Sequence, residues 1–129
     1  MTSAVLDASA IFALLKGERG ASKVAGVIAE AAVGVFNQAE VVSHFVRLGA
    51  PVEEIRVMLG ALPYTIVAAD EALAWEAGEL WSATSTAGLS LGDRFCLALA
   101  KRMEVPAYTA DRAWKEVASA AGVRVTLIR

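Results

Sequence analysis

A chain of 129 residues that is 57% apolar is long enough for one domain with a real core and too short for two. Its 12 Lys and Arg against 14 Asp and Glu give a net charge of −2 and an isoelectric point near 5.4, which excludes an overall basic field, so any nucleic-acid contact must come from a local patch. A single cysteine excludes an internal disulfide and a single histidine excludes a multi-histidine zinc site, both in keeping with a reducing compartment.

Short β-rich runs alternate with longer helical patterns along the whole chain. That alternation predicts an α/β layered domain with a central, mostly parallel sheet of four to five strands flanked by about seven helices, spanning residues 1–129. The first strand is expected at 4–7, "AVLD", after an N-terminus with no basic stretch leading into an apolar run and so no signal-peptide pattern. Helices follow near 9–16 and 21–31, a strand "VGVF" at 33–36, and helices near 38–48 and 52–60. No uncharged run exceeds 13 residues, and the most apolar of that length, "VMLGALPYTIVAA", has Pro63 inside it and is too short to span a bilayer, so the chain reads as a soluble cytoplasmic protein. A strand at 64–70, helices near 71–84 and 91–104, a strand at 106–111, a helix near 112–121 and a strand at 123–128 complete the order. Gly34, Gly49, Gly60 and Gly122, with Pro51, Pro63 and Pro106, mark the junctions.

Four acids stand at helix starts. Asp7 and Asp111 follow strands directly and read as N-caps. Asn37-Gln38-Ala39-Glu40 and Ser90-Leu91-Gly92-Asp93 read as capping boxes. In a parallel sheet the strand ends before Asp7 and Asp111 share the carboxyl edge, where ligands collect, and the helices carrying Glu40 and Asp93 start toward the same edge. Two carboxylates about 4 Å apart repel by about 4 kcal/mol at an effective dielectric near 20, so a shared cleft would need a counter-charge. Oxygen-only ligands suit Mg²⁺ or Mn²⁺. Pattern and spacing leave both readings standing, a metal site or four separate caps.

The segments "VLDASAIFALL", "NQAEVVSHF", "LSLGDRFCLALAKR" and "YTADRAWKEV", in this order, closely resemble the PIN-domain family, with bacterial VapC toxins as the nearest relatives. The resemblance runs from the first strand to the last helix. It implies a parallel α/β sheet and a metal-dependent endoribonuclease whose acidic cluster binds Mg²⁺ or Mn²⁺ and hydrolyses RNA phosphodiester bonds. Carried over residue by residue, it makes Asp7, Glu40, Asp93 and Asp111 the catalytic and metal-binding acids. Thr109, Asn37 and Ser9 match its supporting polar positions, with capping as the other role for Asn37 and Ser9. It also implies a VapB-type antitoxin that blocks the acidic site, and a homodimer.

An acidic cleft repels phosphates, so substrate binding needs cations at its rim; Arg94, Arg112, Lys115 and Arg19 are the candidates, each also readable as an ordinary surface charge. His44, one turn after Glu40, reads as a satisfied, partly buried histidine and Cys96 as core filler. Trp75, Trp81 and Trp114 read as packing residues. Apolar faces at Ile11, Phe12 and Leu15 and at Ile55, Met58 and Leu59 suit a partner or the core equally. Two rivals remain: a PIN-like module that binds RNA or protein without cutting, and a receiver-like signalling domain. The second wants paired acids after the first strand and a lysine after the last, where this chain has "LDAS" and only Arg124 and Arg129.

Overall fold

Side chains alternating across five short parallel strands build the two faces of the sheet. The computed structural model describes residues 1–129: β1 (Ala4–Leu6), α1 (Ala8–Lys16), α2 (Ala21–Ala25), β2 (Ala31–Gly34), α3 (Val35–Arg47), α4 (Val52–Gly60) and β3 (Thr65–Val67), then α5 (Glu71–Glu79), α6 (Trp81–Thr84), α7 (Leu91–Met103), β4 (Ala107–Thr109), α8 (Ala113–Ala121) and β5 (Val125–Leu127). Single 3-10 turns sit at Ile28–Glu30 and Ser85–Ala87. The strands form one sheet in the order β3-β2-β1-β4-β5, every pair parallel.

Val5 stands level with Ala32 on one side and Ala107 on the other, and Ala107 with Val125, so these four form a row on one face. They join the core built with α5, α7 and α8, including Leu73, Leu97, Leu99 and the fully buried Trp114. The alternate residues Ala4, Leu6, Ala31 and Val33 face the other way and pack with Ile11, Val24, Val41, Ile55 and Leu59. Burial on both faces explains why the strands read as apolar runs rather than alternating ones.

The chain moves outward from β1 through β2 to β3, then returns past β1 to lay down β4 and β5. The strand order therefore reverses between β1 and β4, and the carboxyl ends of those two strands are where open α/β sheets bind ligands. Asp7 follows β1 and Asp111 follows β4 by two residues.

Several expected boundaries move. Val35 and Phe36 leave the strand and form the first turn of α3, because β2 stops at Gly34, the N-cap of that helix. The helix expected at 21–31 ends at Ala25 and re-forms only as the 3-10 turn. The one expected at 71–84 breaks at Leu80 into α5 and α6. The strand expected at 64–70 pairs only over Thr65–Val67, and Asp70 instead caps α5 by accepting from the Leu73 N–H at 2.8 Å. Ile11, Ile55 and Leu59 are buried with Phe12, Leu15 and Met58 packed against them, so the core accounts for those faces. Trp75 and Trp81, expected to pack, are 67% and 60% exposed. No helix is long and apolar enough to cross a membrane.

Candidate active site at the carboxyl edge

Asp7 is the most constrained of the four acids. It is the N-cap of α1, and its Oδ1 accepts from the Ala10 N–H at 2.9 Å and the Ser9 hydroxyl at 2.7 Å. Its Oδ2 accepts from the Thr109 hydroxyl at 2.6 Å, which ties the end of β1 to the end of β4. Those hydroxyls are fixed in turn, since Ser9 Oγ accepts from the Ala110 N–H and Thr109 Oγ1 from the Asp111 N–H. Only 4% of Asp7 is exposed. Burial pushes its carboxyl up to about 6, against the opposing pull of the hydrogen bonds from Thr109, Ser9 and Ala10.

Glu40 sits one turn into α3. Asn37, buried in the first turn of that helix, donates its Nδ2 to Glu40 Oε1 at 2.7 Å and to the Gly92 carbonyl at 3.3 Å, so it links α3 to the start of α7. Asn37 thus positions the acid from within the helix, and the expected capping box at 37–40 is replaced by this contact because α3 starts at Val35. Loss of water on its inner side raises the Glu40 carboxyl, Asn37 lowers it and the charge of Asp93 raises it.

Asp93 is the third residue of α7, and its capping box is as expected. Ser90 Oγ accepts from the Asp93 N–H at 3.2 Å, and Asp93 Oδ2 accepts from the Ser90 N–H at 2.9 Å. Burial raises its carboxyl, the Ser90 bonds lower it, Asp111 raises it and Arg94 lowers it. Asp111 is exposed and its Oδ1 accepts from the Ala113 N–H at 3.0 Å; α8 begins after Arg112, so Asp111 holds the turn ahead of the helix and is not its N-cap.

Asp93 is the hub of these groups: its charge acts on Asp7 and Glu40, and the charge of Asp111 acts on it. No three of the chain's carboxylates stand close enough to hold one ion between them. The expected four-acid cluster is therefore an electrostatic neighbourhood, not a ready-made inner ligand sphere. Its donors are all hard oxygens, and three of its acids are raised, first by burial and then by the charge of a neighbouring acid. That chemistry fits a hydrated Mg²⁺, which is typically held by one or two carboxylates and keeps several waters, and Mn²⁺ shares the preference for oxygen.

Of the expected cations, Arg94 is half-buried and donates Nη1 to the Ala77 carbonyl at 3.2 Å, so it braces α7 against α5. Arg112 and Lys115 are exposed beside Asp111 without ion-pair partners, while Arg19 is exposed in the turn between the end of α1 and the start of α2. His44 lies against Phe12 and Phe45, with ring centroids 4.5 and 5.1 Å away, and its Nε2 is buried without a partner, where a satisfied histidine was expected. Desolvation lowers its pKa, helped by the charges of Lys16 and Arg47. Cys96 is fully buried below the acids, and burial pushes its thiol well up, as core filler requires.

Sequence reasoning missed Gly92 as a site residue. A Cβ there would stand 2.8 Å from Glu40 Oε1 and 2.9 Å from its Cδ, so only glycine admits the Glu40 carboxylate onto α7. The available signal was a glycine in the first turn of a helix, costly unless something approaches it closely.

The model of the PIN domain family matches residues 4–120. The chain belongs to the PIN-domain family. Among solved structures, this PIN domain is similar to the DNA-bound VapBC of Salmonella typhimurium (15% identity, TM-score 0.77, all of both chains covered). It is also similar to a toxin-antitoxin complex from Klebsiella pneumoniae (18%, TM-score 0.77, 98% of each) and to FitAcB of Neisseria gonorrhoeae (21%, TM-score 0.74, 95% of each). These likenesses are of fold. A comparison with curated proteins finds no match.

Proposed function

We propose that this PIN domain is a metal-dependent endoribonuclease, the toxin of a VapBC-type toxin–antitoxin pair acting in the cytoplasm. One observation carries the reading: Thr109 ties Asp7 to the end of β4 that leads into Asp111, and Asn37 holds Glu40 against Gly92, the residue before Asp93, so acids from four separate segments are brought toward one sheet edge and three of them are raised by burial. Helix capping alone does not require these acids to stand within reach of one another's charge. A nuclease that admits a divalent cation does.

Asp7, Glu40 and Asp93 would hold Mg²⁺ or Mn²⁺, directly or through water, and Asp111 would complete the negative rim or orient the attacking water. Such an ion supplies charge neutralisation and acidifies water in its reach. Ser9 and Thr109 keep the Asp7 carboxylate fixed, and Asn37 does the same for Glu40. Arg112 and Lys115, unpaired beside Asp111, would meet the RNA backbone. Attack by water rather than by the ribose 2′-hydroxyl leaves a 5′-phosphate and a 3′-hydroxyl.

The fold relatives include a toxin-antitoxin complex, which supports a VapB-type antitoxin as partner. For a homodimer the support is an apolar cavity of about 580 Å³ between α3, α4 and the edge strand β3, where Val52 and Ile66 are exposed beside Val42 and Tyr64.

The test is cleavage of RNA by purified protein with Mg²⁺ or Mn²⁺ and with EDTA. Asp93→Asn keeps shape and most of the capping while removing charge, and is expected to lower cleavage by at least about a hundredfold with the fold intact. Wild-type cleavage by that variant, or cleavage indifferent to EDTA, rejects the assignment. RNA binding without cleavage marks the non-cutting module instead.

A further inference from the structure

Only one side of α5 enters the core. Leu73 and Ala77 are buried in the cluster it shares with α7, while Glu71, Ala74, Trp75, Gly78 and Glu79 are exposed. Glu71, Trp75 and Glu79 recur every four residues and so form one row along the helix, with Ala74 and Gly78 in the row beside it. Ala74, Trp75, Gly78 and Glu79 line a shallow cavity of about 380 Å³, which the two small residues leave open next to the indole and the carboxylate.

Three features of this face work against the fold, and nothing inside the chain compensates them. Trp75 leaves 67% of a large apolar side chain in water. Gly78 destabilises the helix relative to alanine, yet a Cβ there would meet no atom within 4 Å, so no part of this chain needs the space. Glu79 stands in the last turn of α5, where the helix dipole disfavours an acid and no cation of the helix offsets it. Arg102 pairs instead with Asp70 and Glu76, at 3.1 and 3.5 Å. Lys101 and Arg102 border the next cavity with Glu79, but neither pairs with it. Local rules broken together at one place mark a functional surface.

The sign of the charge selects the partner. From Val57 to Asp93 the chain carries acids at Asp70, Glu71, Glu76, Glu79 and Asp93 and no Lys or Arg at all. Such a side repels nucleic acid and anionic lipid and draws a cation. A planar guanidinium lies on an indole face and forks a carboxylate, which a lysine ammonium does less well. We infer that the outer face of α5 docks a basic segment of a partner protein, with an arginine side chain lying on Trp75 beside Gly78 and pairing with Glu79. Glu71 is about 12 Å from Glu79 along the axis, so a partner helix with arginines two turns apart meets both acids. The surface shares no residue with the acids of the carboxyl edge and stands independently of the nuclease reading.

The chain has three tryptophans and so three indole N–H signals, and Trp75→Phe identifies the one that reports on this face. The full-length protein in EDTA at low salt is titrated with an alanine-based helical peptide bearing arginine at every fourth position, and with its lysine and citrulline counterparts. The arginine peptide is expected to move the Trp75 signal saturably, the lysine peptide to bind several-fold more weakly, and the neutral citrulline peptide to leave the signal in place. Glu79→Gln should weaken the arginine peptide by about fivefold, the upper value for one exposed ion pair. Gly78→Leu fills the cavity without a clash at Cβ, so it should abolish the shift while melting no lower than the parent. A Trp75 signal unmoved by the arginine peptide, or moved equally by the citrulline peptide, overturns the docking surface. A shift that survives Gly78→Leu overturns the placing of the arginine, and an equally tight lysine peptide overturns the choice of arginine. A Trp75 signal that shifts on dilution with no peptide present gives the face to a second copy of this chain and overturns the basic partner.

Discussion

Gly92 and Asp7 set the site at the scale of single residues. Gly92→Ala places a methyl group within 3 Å of the Glu40 carboxylate, which is the mobile end of a side chain and must swing away, breaking its 2.7 Å contact with Asn37. Displacing a site group by about 1 Å can cost on the order of a hundredfold in rate, so cleavage should fall by about that factor. Stability should hold or rise by up to about 1 kcal/mol, since alanine is the better helix former. Turnover and thermal melting measured on one preparation check both signs, and a variant as active as the parent removes Gly92 from the site. Asp7 acts on stability in the opposite sense from an ordinary salt-bridged acid. Its folded pKa, about 6 against 3.8, means the folded state holds a proton that the unfolded chain releases. Its contribution to stability is therefore full below about pH 4 and lost as pH rises through 6, amounting to about 3 kcal/mol by pH 7. In EDTA, urea midpoints should fall between pH 5 and pH 7, and Asp7→Asn should flatten that slope. A midpoint that rises across this window in the parent contradicts the sign.

At the scale of elements, α7 carries both a cap and an acid, and the two can be separated. Ser90→Ala removes the acceptor for the Asp93 N–H but leaves the Asp93 carboxylate bonded to the residue 90 N–H. The expected loss is about 1 kcal/mol, or about 3–5 °C in melting temperature, with cleavage largely kept. Loss of cleavage equal to that of Asp93→Asn would mean that the cap, not the charge, is what the helix start provides. The same helix was legible in the sequence from Ser90 to its end, because a capping box and an apolar stripe are local signals. The start of α3 was not: Val35 and Phe36 have strand preferences, and only the end of pairing at Gly34 tells them to coil. The break at Leu80 was equally hidden, since the apolar period runs through it. Of the site, the four acids and their hydroxyl partners could be named from sequence. Arg94 turning inward to Ala77 depends on how helices meet, which no local pattern records.

Over the whole molecule, charge is unevenly placed. Of the 14 acids, four are gathered toward the carboxyl edge of the sheet, leaving ten against 12 Lys and Arg elsewhere, so the remainder of the molecule is slightly basic. The sheet order creates this asymmetry by reversing between β1 and β4 and bringing helix starts to one edge. The fold therefore carries a standing repulsion that any bound divalent ion relieves, and binding to the folded state alone raises stability by about 2.7 kcal/mol at a hundred times the dissociation constant. For a chain of this size that is about 10 °C in melting temperature. Mg²⁺ or Mn²⁺ should produce the rise at pH 7.5, and the effect should shrink at pH 5, where Asp7 is largely protonated and offers no charge. Sodium chloride at matched ionic strength separates specific binding from screening, because screening acts on exposed charges whatever the ion. Asp93→Asn removes the hub of the repulsion, so the variant should melt higher than the parent in EDTA and respond little to the divalent ion. An equal gain from sodium chloride, or an undiminished Mg²⁺ response in that variant, would show that the carboxyl edge does not bind the ion through Asp93.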